Sequence, residues 1–201
     1  MIYAARCKQE ELAIAEKLNP GAWVHHSRNV GIVARNIAGR VSGLDPDKAY
    51  TLGLLHDIGR RVGVVGVVRH VWEGYRYCME NGWDEVARVC MTHSFPLAGK
   101  ELDVVLQEKE AARIREYVLG CEYDDYDFLI QLCDSLATSR GFCILEKRFV
   151  DVARRHGIWQ NTVDYWNAIL QIKKRFEQKM GDSLYGVLPD IAQTTLLDLL
   201  E

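Results

Sequence analysis

Leu52-Gly53-Leu54-Leu55-His56-Asp57-Ile58-Gly59-Arg60 is an apolar helical run closed by an imidazole beside a carboxylate. His56 follows Ala49, Leu52 and Gly53 at helical spacing, and Asp57 lies about 100° further round, so near a helix end both can bend toward one ion. A buried Asp57 that simply accepts a proton from a histidine is the other reading. Just upstream, Asp45 is placed to cap the helix and Pro46 to occupy its first turn, and the stop is expected near Gly59.

Outward from this stretch, nearly every segment has helical period. Val30, Val33, Ile37 and Val41 form one stripe over 22–41. Further helices are predicted from about Val68 to Glu80, ending at Asn81-Gly82, and from Glu85 to His93, capped by Asp84 and stopped by Pro96. Others run from about Glu146 to His156 and from Thr162 to Met180, with a loop and a short terminal helix after Gly181. Residues 62–68, rich in valine and glycine, read as a loop. The stretch 101–118 is charged and weakly amphipathic. The acidic run 122–127 reads as a solvated loop and helix start, favoured by the helix dipole. Strand-like alternation is nearly absent, and there is no repeat or linker. One all-α domain, a compact multi-helix bundle spanning 1–201, is therefore expected.

Composition narrows the function. With 48% hydrophobic and 26% charged residues over 201 positions the chain can bury a substantial core, and a net charge of −3 speaks against a nucleic-acid partner. Small-molecule chemistry is expected. No apolar run reaches the ~20 residues of a membrane span, and Met1–Lys8 lacks a secretory core, so no membrane partner and a cytoplasmic location are expected. The six cysteines, without a C-x-x-C pair, read as reduced buried thiols.

Four more polar groups stand on apolar helical stripes. His26 precedes Val30, Val33 and Ile37 by four, seven and eleven residues, whereas His25 shares its side with Arg28, Asn29 and Asn36. Asp134 lies within Phe128–Ala137 with no lysine or arginine within a helical turn, so its burial calls for a cation or strong hydrogen bonds. His70 aligns with Val67, Gly74 and Tyr77, and His93 with Val86, Val89 and Cys90. One buried histidine needs no function. Several, on different helices, favour a metal site.

The ordered set His26, His56-Asp57-Ile58-Gly59-Arg60 and Asp134 resembles the HD-domain metal-dependent phosphohydrolases. That resemblance implies a helical bundle with a metal-site core at about 22–140, C-terminal helices at about 141–201, and His26, His56, Asp57 and Asp134 as ligands of one divalent ion (Mn, Fe, Mg, Ni or Zn). Branches of the family hold a second ion, for which His70 and His93 stand in order and Asp57 would bridge. The cyclic-dinucleotide branch is disfavoured, because His93-Ser94-Phe95-Pro96 replaces its tandem histidine and Gly-Tyr-Pro pattern. Arg60 replaces the usual lysine, keeping a positive charge for phosphate. The activity so implied is hydrolysis of a nucleotide or other small phosphorylated metabolite, with Asp57 and Arg60 as catalytic residues. A non-catalytic module that binds metal and senses a nucleotide or a protein partner is the alternative. Trp159, Tyr165 and Trp166 read as core residues rather than a base-binding pocket.

Overall fold

The computed structural model describes residues 2–102 and 109–196, with side chains from residue 9 onward. Ten α-helices occur among them: α1 (Ile2–Leu18), α2 (Ala22–Ala38), α3 (Pro46–Leu55), α4 (Val67–Glu80), α5 (Asp84–Thr92), α6 (Lys109–Gly120), α7 (Asp125–Leu136), α8 (Leu145–His156), α9 (Thr162–Met180) and α10 (Ile191–Leu196). Two-residue strands β1 (Ala137–Thr138) and β2 (Gly141–Phe142) pair antiparallel in the turn after α7. The fold is all-α, and helix α1 is an element that the sequence reading had left unassigned. Residues 103–108 of the charged stretch and the side chain of Cys7 lie outside the described residues. Cys78, Cys90, Cys133 and Cys143 are buried and unbridged, while Cys121 is half-buried.

Local chemistry explains most boundaries. Asp45 accepts hydrogen bonds from the amides of Asp47 (2.8 Å) and Lys48 (3.2 Å), with Pro46 in the first turn of α3 as expected. Asp124 caps α7, and Asp127 returns a bond to the Asp124 amide (2.9 Å), closing a capping box. Asp84 is a correction: Trp83 precedes the helix, and Asp84 is its first residue with no capping bond. Helix α3 ends at Leu55 rather than near Gly59, because residues 58–62 tighten into a 3-10 turn.

The principal core joins α1, α2, α3, α5, α7, α8 and α9 through Leu12, Val30, Leu55, Val86, Leu129, Leu145 and Ile169. A second cluster under α4, α5 and α6 contains Val71, Met91, Phe95 and Ile114. Close backbone approaches set the helix spacing in the principal core. A Cβ on Gly53 would meet the Gly31 backbone at 2.9 Å, so α2 and α3 need glycine where they cross.

The acidic run contains a second correction. Asp127 is 1% exposed, not solvated. It receives Arg88 through Nε (3.0 and 3.2 Å) and Nη2 (2.5 Å), and the Thr92 hydroxyl donates to it at 2.7 Å. This pairing fastens α5 to α7, the helices that carry His93 and Asp134.

Candidate metal centre

Five segments converge on one point. Helix α2 brings His26, the end of α3 brings His56 and Asp57, α4 brings His70, the residue after α5 is His93, and α7 brings Asp134. All six expected ligands come together. His26 Nε2 lies 2.9 Å from Asp134 Oδ1, and His56 Nε2 lies 3.7 Å from the same oxygen and 3.9 Å from Asp57 Oδ2. Asp57 Oδ1 in turn faces His70 Nε2 at 3.2 Å and His93 Nε2 at 3.7 Å. Ligands about 2.0–2.2 Å from one cation stand about 3–3.5 Å from each other, and the separations here, 2.9 to 3.9 Å, bracket that range. His26, His56 and Asp134 form one group able to hold an ion, and His56, Asp57 and His93 another.

The backbone fixes which imidazole nitrogen is bare. His56 Nδ1 pairs with the Gly53 carbonyl (2.7 Å), His70 Nδ1 with Gly66 (3.2 Å), and His93 Nδ1 with Val89 and Cys90 (3.0 Å each). A carbonyl only accepts, so the proton sits on Nδ1 and the Nε2 lone pair points inward in all three. His70 Nε2 and His93 Nε2 are 3.3 Å apart. Two lone pairs at that distance repel; they are not a hydrogen bond. His56 Nε2 and Asp57 Oδ1 are likewise buried without a hydrogen-bond partner. Buried acceptors gathered without a donor fit a cation, and imidazole with carboxylate suits a divalent transition metal.

Electrostatics keeps both carboxylates, His70 and His93 in ligand form, while at His56 burial is outweighed by the Asp57 and Asp134 carboxylates, which raise it above its ordinary value. Burial opposes ionisation of Asp57, but the imidazoles of His70 and His56 and the Arg60 guanidinium hold its carboxyl far below the usual range. Burial also opposes ionisation of Asp134, and the neighbouring imidazoles of His26, at hydrogen-bond distance, and His56 overcome it. Burial lowers His70 to about 3 despite Asp57, and burial with the neighbouring His56 lowers His93. Both are neutral near pH 7.

Two placements differ from the sequence reading. Asp134 was expected to be buried, yet its side chain is 25% exposed, and His26 is its hydrogen-bond partner. Arg60 donates through Nε to Asp57 Oδ2 at 2.5 Å, and its side chain is 32% exposed. It orients Asp57 directly. Sequence reasoning missed the Arg88–Asp127–Thr92 support, whose members lie 35 or 39 residues apart and carry no local pattern.

Neither a curated protein nor a solved structure matches the chain. Among the described residues, no helix is long and apolar enough to cross a membrane. The family model for the HD domain matches residues 23–139, from the start of α2 to just beyond α7, and so takes in every residue of the cluster. With more than half of its length matched and the H, HD, D order folded onto a single point, the chain belongs to the HD-domain family.

Proposed function

We propose that this protein is a metal-dependent phosphohydrolase that cleaves a phosphoester or phosphoanhydride of a nucleotide or other small phosphorylated metabolite. One observation carries the reading: Nε2 of His56, His70 and His93 and Oδ1 of Asp57 are acceptors turned toward one another with no donor among them. His26, His56, Asp57 and Asp134 would hold one divalent ion, and Asp57, His70 and His93 a second. Such ions polarise a phosphoryl oxygen and make bound water acidic enough to serve as a nucleophile near pH 7.

The protein's own contribution is positioning. Asp57, one oxygen toward His70 and His93 and the other toward His56 and Arg60, lies between the two groups and orders them. Arg60 holds it there by Nε, while its terminal nitrogens make no hydrogen bond among the described residues and remain for an anionic substrate. Helices α4, α5 and α7 exclude bulk water from the inner face, which strengthens charge interactions there.

The test is turnover of a panel of phosphorylated metabolites by manganese-loaded protein, beside His56→Ala and Asp57→Ala. Both variants should lose bound metal and turnover while keeping wild-type circular dichroism. Unchanged turnover in both would refute the proposal. Bound metal with no hydrolysis, but thermal stabilisation by a nucleotide, would favour a sensing module.

A further inference from the structure

The metal centre is closed unevenly. Side-chain exposure is 25% at Asp134 and 13% at His26, but 0% at His56, 5% at Asp57, 3% at His70 and 2% at His93. The 3-10 turn over 58–62 follows the buried Asp57 directly, and α1 packs against that turn from outside the stretch that the family model matches. Hydrogen bonds run from this helix to the ligand.

Asn19, the residue after α1, is the junction. Its backbone amide donates to the Ala15 carbonyl at 3.0 Å, which ties it to the last turn of that helix. Its backbone carbonyl accepts the indole Nε1–H of Trp23 at 2.8 Å, on α2 three residues before the ligand His26. Its side-chain Nδ2 donates to the Arg60 carbonyl at 2.5 Å. A carbonyl only accepts, so the amide nitrogen and not the oxygen faces it. Pro20 comes next, and its ring fixes one backbone angle of the corner between α1 and α2.

Arg60 is held through its backbone and its side chain. Its carbonyl takes a second bond from the Gly63 amide (3.0 Å), and its amide donates to the Asp57 carbonyl (2.9 Å). Hydrogen bonds within a 3-10 turn are poorly aligned, so a donor from outside steadies a peptide plane that the turn alone holds loosely. From this plane Nε reaches Asp57 Oδ2 at 2.5 Å, while Asp57 Oδ1 faces His70 Nε2 at 3.2 Å. The same helix braces the next residue. The Arg61 guanidinium stands 4.3 Å from the centroid of the Tyr77 ring, and the Tyr77 hydroxyl donates to Glu11 of α1 at 2.7 Å.

We propose that Asn19 is a positioning residue of the metal centre: by holding the Arg60 carbonyl it fixes the turn from which Arg60 Nε orients the carboxylate of Asp57. Removing the Asn19 donor frees the turn, the guanidinium shifts on Asp57, and the carboxylate loses its set toward His70 and His93. Helix α1 then serves metal binding as well as the core. The inference rests on the metal centre of the hydrolase reading, though not on hydrolysis itself.

Manganese is the probe, titrated calorimetrically into metal-free wild type, Asn19→Ala, Arg60→Ala and the double variant. The control is Glu16→Gln, which removes an ion pair between α1 and α2 (Arg28 Nη2 to Glu16 Oε2, 3.3 Å) and leaves the turn alone. Asn19→Ala should weaken manganese binding about tenfold, the lower end for groups that orient a ligand from outside the coordination sphere. Glu16→Gln should match wild type. The double variant separates positioning from support. With Arg60 truncated, loss of Asn19 should weaken manganese no further, yet should lower Tm as much as it does in wild type, since the carbonyl that Asn19 holds is still there. Wild-type manganese affinity in Asn19→Ala, an equal loss in Glu16→Gln, additive losses in the double variant, or no manganese binding by wild type would overturn the proposal. Should Asn19→Ala fail to fold, Asn19→Ser, whose hydroxyl stops a bond short of the Arg60 carbonyl, takes its place and is read the same way. Hydrolysis by wild type with unaltered manganese affinity in Asn19→Ala sinks this role and leaves the hydrolase reading, whereas weakened manganese in Asn19→Ala beside a wild type that hydrolyses nothing does the reverse.

Discussion

A methyl group built on Gly59 would lie 1.8 Å from the carbonyl oxygen of His70 and 2.6 Å from the amide nitrogen of Gly74. Helix α4 thus rests directly on the 3-10 turn that follows Asp57, and this contact sets how far His70 stands from Asp57. Gly59→Ala should cost more than about 4 kcal/mol in urea unfolding or prevent folding, since neither neighbour is a movable side chain. Gly66→Ala, with nothing within 4 Å and ordinary φ, should fall within about 0.5 kcal/mol of wild type.

Metal should be visible in thermal denaturation. At free manganese of 100 Kd the folded state should gain about 2.7 kcal/mol, raising Tm, and EDTA should reverse the gain. Elemental analysis should show His70→Ala and His93→Ala retaining the ion bound through His26 and Asp134, while His56→Ala loses the stabilisation. Equal metal content in all three and wild type would contradict the assignment.

Removing the buried acid under the site should act on both stability and metal. Asp127→Ala strips partners from Arg88, Thr92 and the Asp124 amide, and should cost about 3 kcal/mol in chemical unfolding. Thr92 adjoins His93, so manganese affinity should fall as well. A variant that loses stability but keeps wild-type manganese affinity would show that the support does not position His93.

Acid should expose the Asp151 pairing. Burial raises the tendency of Asp151 to protonate, but hydrogen bonds and charge from Arg155 and Arg148 hold its carboxyl below the ordinary value. The folded protein therefore binds this proton less readily than the unfolded chain. The contribution is complete above about pH 4 and lost as pH falls through the lower, folded-state value. Asp151→Asn should be about 1–2 kcal/mol less stable than wild type at pH 7, with the gap closing below about pH 4. A gap that persists at pH 2 would count against the ion pair.

Where the sequence was legible, a period or a cap made it so. The Val30–Val33–Ile37 stripe turned His26 inward, and Asp45-Pro46 marked the start of α3 to the residue. His70 and His93 were legible for the same reason, each sharing a stripe with buried residues. The burial of Asp127 was not, because an acidic run looks solvated until Arg88 arrives from another helix. Nor was the lean of Arg60 onto Asp57 rather than outward: a three-residue spacing permits it, but the chain must tighten into a 3-10 turn to bring the groups together. Tyr165 and Trp166 read as core, and both do pack against it.

The graded exposure of the ligands has a kinetic corollary. A cation held at the Asp57–His70–His93 corner, whose side chains are almost fully buried, would exchange with solvent only on local opening, whereas one held at the more exposed His26–Asp134 corner would exchange more readily. Chelator added to fully loaded protein should therefore withdraw metal in a fast phase and a slow phase, the slow one tracking local opening of the helices. The two corners could then hold different elements for as long as the inner one keeps what it captured during folding.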